Sequence, residues 1–455
     1  MTHPVSSAPP WPYRLLSALL VPLVLGRVLW RARREPAYGQ RWWQRLGYYG
    51  LDVPPLQDAV WIHAVSLGEM RAAAILLQAL RARWPQVRVV LTHSTATGWE
   101  EGQRWCREGD VQVWLPWDSA GACQRFVRRF RPRVGLLVET EVWPNLVHAA
   151  HAAGVPLWLI NARLSERSQA RAQRWPALAR QAYGGLHAVW AQTAADAARL
   201  QRLGASVTGV MGNLKFDLDP SASLLARGRA WRARLADDRP IAVLASSRDG
   251  EEELWLRTVT AQGAAAAVRW LIVPRHPQRF DAVARMLQAA GCTVARRSHW
   301  PATGDAQSWA AVRAADVWLG DTLGEMPAYY ALADWALMGG SFLPYGGQNL
   351  IEAIACGCPV ILGPHTFNFQ EATRAAVEAQ VAVQVDGMAA AVREALRWRD
   401  DPAWPRDARA RAPAWLAQHR GAAQRLVQAL EPWLSRPPHA AGGSSGAVSA
   451  PATAR

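Results

Sequence analysis

Residues 59–93, AVWIHAVSLGEMRAAAILLQALRARWPQVRVVLTH, decide the fold. Two apolar runs, AVWIHAV and VRVVLTH, flank EMRAAAILLQALRARW, whose apolar residues recur at helical spacing. Neither flanking run alternates polar with apolar, as a strand wet on one face would; both read as strands buried on two faces. A strand, a crossover helix and a second strand make a βαβ unit with parallel neighbours. The pattern extends through VQVWLP, RVGLLVE, VPLWLI, HAVWAQ and ASVTGV. After DPSASLLARGRAWRARLADDRP it restarts with IAVLAS, RWLIVP, VWLGD, WALMGG, PVILG and VAVQV. The sequence therefore predicts two doubly wound, Rossmann-like α/β domains, joined near residues 218–240.

Composition narrows the function. The chain has 455 residues, half of them hydrophobic, enough for two or three domains with their own cores. A formal charge of +15 points to an anionic partner. Without a zinc-finger spacing or an RNA-binding signature, a nucleic acid is not the expected one. The five cysteines are odd in number, and the Cys356-x-Cys358 pair lies in an apolar passage, so free thiols are expected rather than metal ligands. No HExxH pattern indicates a metal, and no Walker lysine is present.

The N-terminus stands apart. LLSALLVPLVLG (15–26) is uncharged and apolar, and extension through Val28–Trp30 brings it near the length of a membrane span. It has neither a strong basic leader nor a small-residue cleavage site. The following RVLWRARREPAYGQRWWQRLGYY interleaves arginine with aromatic residues, a mixture favoured at lipid headgroups. A retained membrane anchor is expected, with the remaining chain cytoplasmic. The tail after Pro437 is small, polar and expected to be disordered.

In such sheets ligands bind beyond the carboxyl ends of the strands, where the polar motifs of this chain fall. Two facing sets of strand ends would make one cleft. Of the 51 basic residues, Lys215 in GNLKFD is the single lysine, in a composition that looks GC-driven. Its ammonium is a compact, mobile point charge suited to a developing negative charge. Glu69, after Gly68 at the start of a helix, reads either as a partner of the helix dipole or as a general base. Glu139 and Glu141 in ETEVWPN, two apart at a strand end, are expected to point the same way. In the second half, YGGQNLIEA offers exposed N–H groups to a phosphate and Glu352 to a ribose. GDTLGEM adds a second turn, and PRHPQRF adds Arg275 and His276. A metal-free transfer from a nucleotide-activated donor follows.

The stretches WIHAVSLGE, ETEVWPNL, NARLSERS, GNLKFD, PRHPQRF, GDTLGE and GGSFLPYGGQNLIEA together resemble the 3-deoxy-D-manno-octulosonic acid (Kdo) transferases, from residue 13 to about 430. The chain has GGQN where that family often has GGHN, EAI for EPA, and ASSRDGEEE for ASTHxGEE. The resemblance implies a type-B glycosyltransferase fold with an interdomain cleft, a CMP-Kdo donor, no cofactor and no metal. It implies a lipid A precursor as acceptor, on the cytoplasmic side of the inner membrane beside an anionic lipid surface. On it Glu69 is the base, Glu139 and Lys215 stabilise the transition state, and Arg275, His276, Leu323, Gly324, Glu325, Asn349 and Glu352 bind CMP. The expected layout is an anchor over 1–35, an acceptor domain over 36–225, a CMP-sugar domain over 226–436 and a tail over 437–455. Alternatives are a UDP-sugar transferase acting on another lipid and a non-catalytic nucleotide-binding membrane module.

Overall fold

The computed structural model describes residues 8–33, 35–301 and 307–435, so the expected disorder of the tail after Pro437 lies outside the described residues. The chain forms two compact units. The first runs to Leu214 and resumes at Gly421, and the second is Lys215–Arg420.

In the first unit the strands are β1 (Val60–His63), β2 (Val89–His93), β3 (Val111–Trp114), β4 (Val134–Val138), β5 (Leu157–Ala162), β6 (Ala188–Ala191) and β7 (Val207–Val210). They pair in parallel in the order β3-β2-β1-β4-β5-β6-β7. Period-two alternation fills both faces of this sheet: Trp61 packs into one core cluster, Val60 and Ile62 into the other.

The second unit repeats the plan. Its strands are β8 (Ile241–Ser247), β9 (Arg269–Pro274), β10 (Val294–Arg296), β11 (Val317–Leu319), β12 (Trp335–Met338), β13 (Val360–Leu362) and β14 (Ala382–Gln384). All are parallel, in the order β10-β11-β9-β8-β12-β13-β14. Ile241, Val243 and Ala245 face one core cluster, Ala242 and Leu244 the other. Each sheet has a place where consecutive strands part to opposite sides: between β1 and β4, and between β8 and β12. Ligand sites of open α/β sheets lie beyond the carboxyl ends at that place.

The units divide the chain at other points than the sequence suggests. Residues 215–225, expected in the first domain, fall in the second unit, and the helix Ala422–Leu434, expected in the second, belongs to the first. Packing gives the reason. Ala422, Leu426, Val427 and Leu430 are buried in the same cluster as Ile62 and Leu76, against α3. Here α1 is Trp11–Leu19, α2 is Val21–Ala32 and α3 is Leu67–Arg83.

Together α1 and α2 are long and apolar enough to cross a membrane, by length and composition. Their large apolar side chains face outward, Trp11 at 74% and Leu23 at 68% exposure. A row of such residues is more exposed apolar surface than a soluble domain ordinarily leaves uncovered.

Candidate active site

In the first unit, Glu69 and Glu139 follow β1 and β4, the two strands flanking the switch in strand order. Ser66 N-caps α3, its Oγ accepting from the Glu69 N–H at 3.4 Å. The Glu69 carboxylate turns back and accepts the Val65 N–H at 2.8 Å, with the Ser66 hydroxyl 3.4 Å from its other oxygen. This is the reciprocal logic of a capping box, reaching one residue further back. Glu69 is half-buried, and its carboxylate caps the start of the helix that follows β1.

Glu139 is 6% exposed, and its carboxylate pairs with Arg163 Nε at 3.2 Å. Its N–H donates to Ile160 O, and its own carbonyl accepts from the Arg163 N–H. The backbone at Glu139 is left-handed, with φ 65°. That bend breaks the extended alternation expected for Glu139 and Glu141. Glu141 accepts instead from Trp143 Nε1 at 2.8 Å, and burial pushes its carboxyl pKa up. The two carboxylates are held by different partners.

Sequence reasoning assigned no role to Arg163 or Asn161. Asn161 is fully buried with φ 49°, and its Oδ1 accepts the Leu214 N–H at 3.0 Å. Its carbonyl accepts from Gln192 Nε2 at 2.9 Å. It thereby ties β5 and β6 to Leu214, where the first stretch of this unit ends. Asn161 was legible as one of five asparagines, but its partners depend on strand order.

Lys215 opens the second unit. Its Nζ stands 5.2 Å from the centre of the Phe369 ring. The preceding Asn368 donates its N–H to Gly346 O, within YGGQN, so the lysine and the glycine loop share one neighbourhood. That loop follows β12 beside the end of β8. A Cβ on Gly339 would come within 2.6 Å of Ser246 O, so only glycine permits these strand ends to approach so closely. Fully buried Glu251 stitches them, accepting N–H groups of Arg248, Gly340 and Phe342. Beside it, Glu252 holds Arg279 through two bonds of 2.7 and 2.8 Å.

The other donor-side candidates divide. Arg275, half-buried, and His276, exposed, leave the end of β9, and the Arg275 N–H donates to Ser247 O. Asn349 N-caps Leu350–Ala355 without a side-chain bond, and its Oδ1 is buried with no hydrogen-bond partner. Glu352 lies half-buried one turn on. Leu323 is exposed and Gly324 adopts φ 79°. Glu325, however, is 8% exposed and bonds Arg227 and Arg297, each at 3.0 Å. It is an ion-pair hub that fixes the turn.

The N-terminal apolar segment is less separable than its composition suggests. Tyr13 OH donates to Asp118 at 2.7 Å, and Asp118 accepts the N–H groups of Asn145 and Leu146. Asn145 Nδ2 donates to Ser17 Oγ at 3.2 Å and to Asp118 O at 2.7 Å. Thus α1 is bonded to the helix that follows ETEVW.

A sequence model described as "3-Deoxy-D-manno-octulosonic-acid transferase (kdotransferase)" matches residues 40–218. The chain is 47% identical to a 3-deoxy-D-manno-octulosonic acid transferase of Bordetella pertussis, over 93% of this chain and 99% of that protein. It is 33% identical to the transferase of the same description from Haemophilus influenzae, over 94% and 99%. Among solved structures, a glycosyltransferase from Rickettsia africae shares the fold, with a TM-score of 0.55 at 10% identity, over 84% of this chain and 100% of that one.

Proposed function

The chain belongs to the Kdo transferase family, and from that premise we propose that it moves Kdo from CMP-Kdo to the lipid A precursor at the cytoplasmic face of the inner membrane. It is a glycosyltransferase of the type-B class that transfers Kdo in lipopolysaccharide core biosynthesis. The observation that carries the mechanism is the placement of Glu69 and Glu139 after the two strands flanking the switch point.

Glu69 takes the proton of the acceptor hydroxyl as its oxygen bonds to the anomeric carbon of Kdo with inversion. The bond from that carbon to the CMP phosphate oxygen breaks, and CMP leaves with the electron pair. CMP departs as a monoester, with less charge to neutralise than a nucleoside diphosphate, so Lys215 and backbone donors suffice without a metal. Arg275, His276, the 323–325 turn, Asn349 and Glu352 hold the nucleotide, and the unpartnered Asn349 Oδ1 supports this reading. Glu139, locked by Arg163, offers a fixed negative charge to the positive charge that develops on the sugar. The exposed apolar face of α1 and α2 supports membrane contact, and the charge of +15 supports an anionic lipid surface.

The test is mass spectrometry of lipid A precursor incubated with the purified chain and CMP-Kdo, with and without a chelator. Kdo addition at equal rates in both supports the reading. Addition only without chelator overturns the metal-free route, and no addition overturns the acceptor.

A further inference from the structure

Between α2 and the carboxyl edge of the first sheet lies a cavity of about 410 Å³, the size of a small-ligand pocket. One wall is the apolar side of α2: Val21, Val24, Leu25 and Val28. The other includes Leu115, Leu146 and Trp143. Arg27, Arg31 and Arg45 also line it.

Arg45 is the unusual member. It is 9% exposed, yet among the described residues no carboxylate pairs with it. Its Nε is buried with no hydrogen-bond partner. Its guanidinium rests over Trp114 at 4.2 Å and Tyr38 at 5.9 Å, and among the described residues its one hydrogen bond goes to the Ser94 carbonyl, at 3.5 Å. Burial pushes its pKa down to about 10, so it remains a cation. A buried charge without a counter-charge is costly unless a ligand supplies one. The acidic residues of the cavity are engaged elsewhere, Asp118 by Tyr13 and Glu141 by Trp143. Arg27 has no acidic partner among the described residues, while Arg31 pairs with Glu35 at 3.4 Å. An apolar slot with guanidinium groups along it matches an acyl chain beside a phosphate. Val65 and Glu141, which flank the Glu69 and Glu139 segments, also line it.

We propose that this cavity seats one acyl chain of the phosphorylated lipid acceptor, with Arg45, Arg27 and Arg31 meeting its phosphate; the proposal rests on the Kdo-transfer reading. Native mass spectrometry of the full chain in neutral detergent, titrated with lysophosphatidate, monoacylglycerol or inorganic phosphate, tests the chemistry. One lysophosphatidate per chain is expected, held about tenfold more tightly than monoacylglycerol, with no phosphate retained. Arg45→Gln should abolish the preference for charge, and Val24→Trp, which fills the slot, should abolish retention. CMP affinity should stay unchanged in both. The exposed Arg27→Gln supplies a weaker version of the first readout in a variant with no buried change.

Equal retention of charged and neutral lipids, or unaltered retention by Val24→Trp, overturns the site. Kinetics identify the occupant: lysophosphatidate should raise the acceptor KM with kcat unchanged. Retention without that competition makes the occupant a bulk phospholipid and overturns the acceptor assignment. A wild type that retains lysophosphatidate yet moves no Kdo overturns the transferase reading and upholds the amphiphile site.

Discussion

At the scale of single residues, Glu69→Gln separates the observed cap from the proposed base, because an amide oxygen still accepts the Val65 N–H but takes no proton. The thermal midpoint should hold while turnover falls roughly 100-fold or more with CMP still bound. Near-normal turnover would leave Glu69 as a cap alone. For Lys215, both Arg and Ala should lose about 2–4 kcal/mol of transition-state stabilisation, since a planar guanidinium cannot replace a point charge in tight quarters. Single-turnover rates beside thermal melts decide it, and an Arg variant as fast as wild type would make the lysine incidental. Lys215 was legible in the sequence through its rarity. Arg163 was not, because one arginine in 50 gives no signal until β4 and β5 are known to be neighbours. The divergence of Glu139 and Glu141 was hidden for a similar reason: one left-handed residue reverses the direction of the next, and composition does not reveal it.

At the scale of elements, the strands read from apolar runs stand where expected, because strands buried on both faces leave no room for polar alternation. The exception is β10, three residues at a sheet edge that end in Arg296 and run into Arg297, too short and too polar to register. The N-terminal segment was legible as apolar, but its bonds to Asp118 and Asn145 were not, since they join residues far apart in sequence. Its removal should therefore reach beyond any contact with membranes. Deleting residues 1–34 strips Tyr13 and Ser17 from the helix after ETEVW, so activity on detergent-dispersed acceptor should drop at least about tenfold. Full retention of activity would show that the bonds from Tyr13 and Ser17 leave the site undisturbed. The ends of β1 and β2 carry a pH effect. Burial pushes His63 down to about 3 and His93 down to about 4. The unfolded chain takes up those protons near pH 6.5 while the folded chain refuses them. Stability is thus complete above pH 6.5 and declines below it, by about 1.4 kcal/mol per pH unit for each histidine. Urea unfolding between pH 7 and 5 measures the slope, and no decline would contradict the neutral buried pair.

At the scale of the whole molecule, two doubly wound units were legible from the restart of the strand pattern, but their boundaries were not. An amphipathic helix that follows another looks like a continuation of the same domain, and only its partners show otherwise. Leu426→Ala and Leu430→Ala each remove a fully buried side chain from the α3 side of the first sheet and should cost about 2–5 kcal/mol. Calorimetry should locate that loss in the transition of the first unit, and a loss confined to the other transition would reassign the helix. The chain leaves the first unit at Leu214 and returns at Gly421. On the ribosome, synthesis runs the other way from this architecture: the unit begun first is the last to be complete. Its sheet must wait, the apolar groups that Ala422–Leu434 will cover still open, while the whole of Lys215–Arg420 is translated and can already fold. During that interval the nascent chain is a natural client for a chaperone, and a message truncated before codon 421 yields a finished second unit attached to an unsealed first unit.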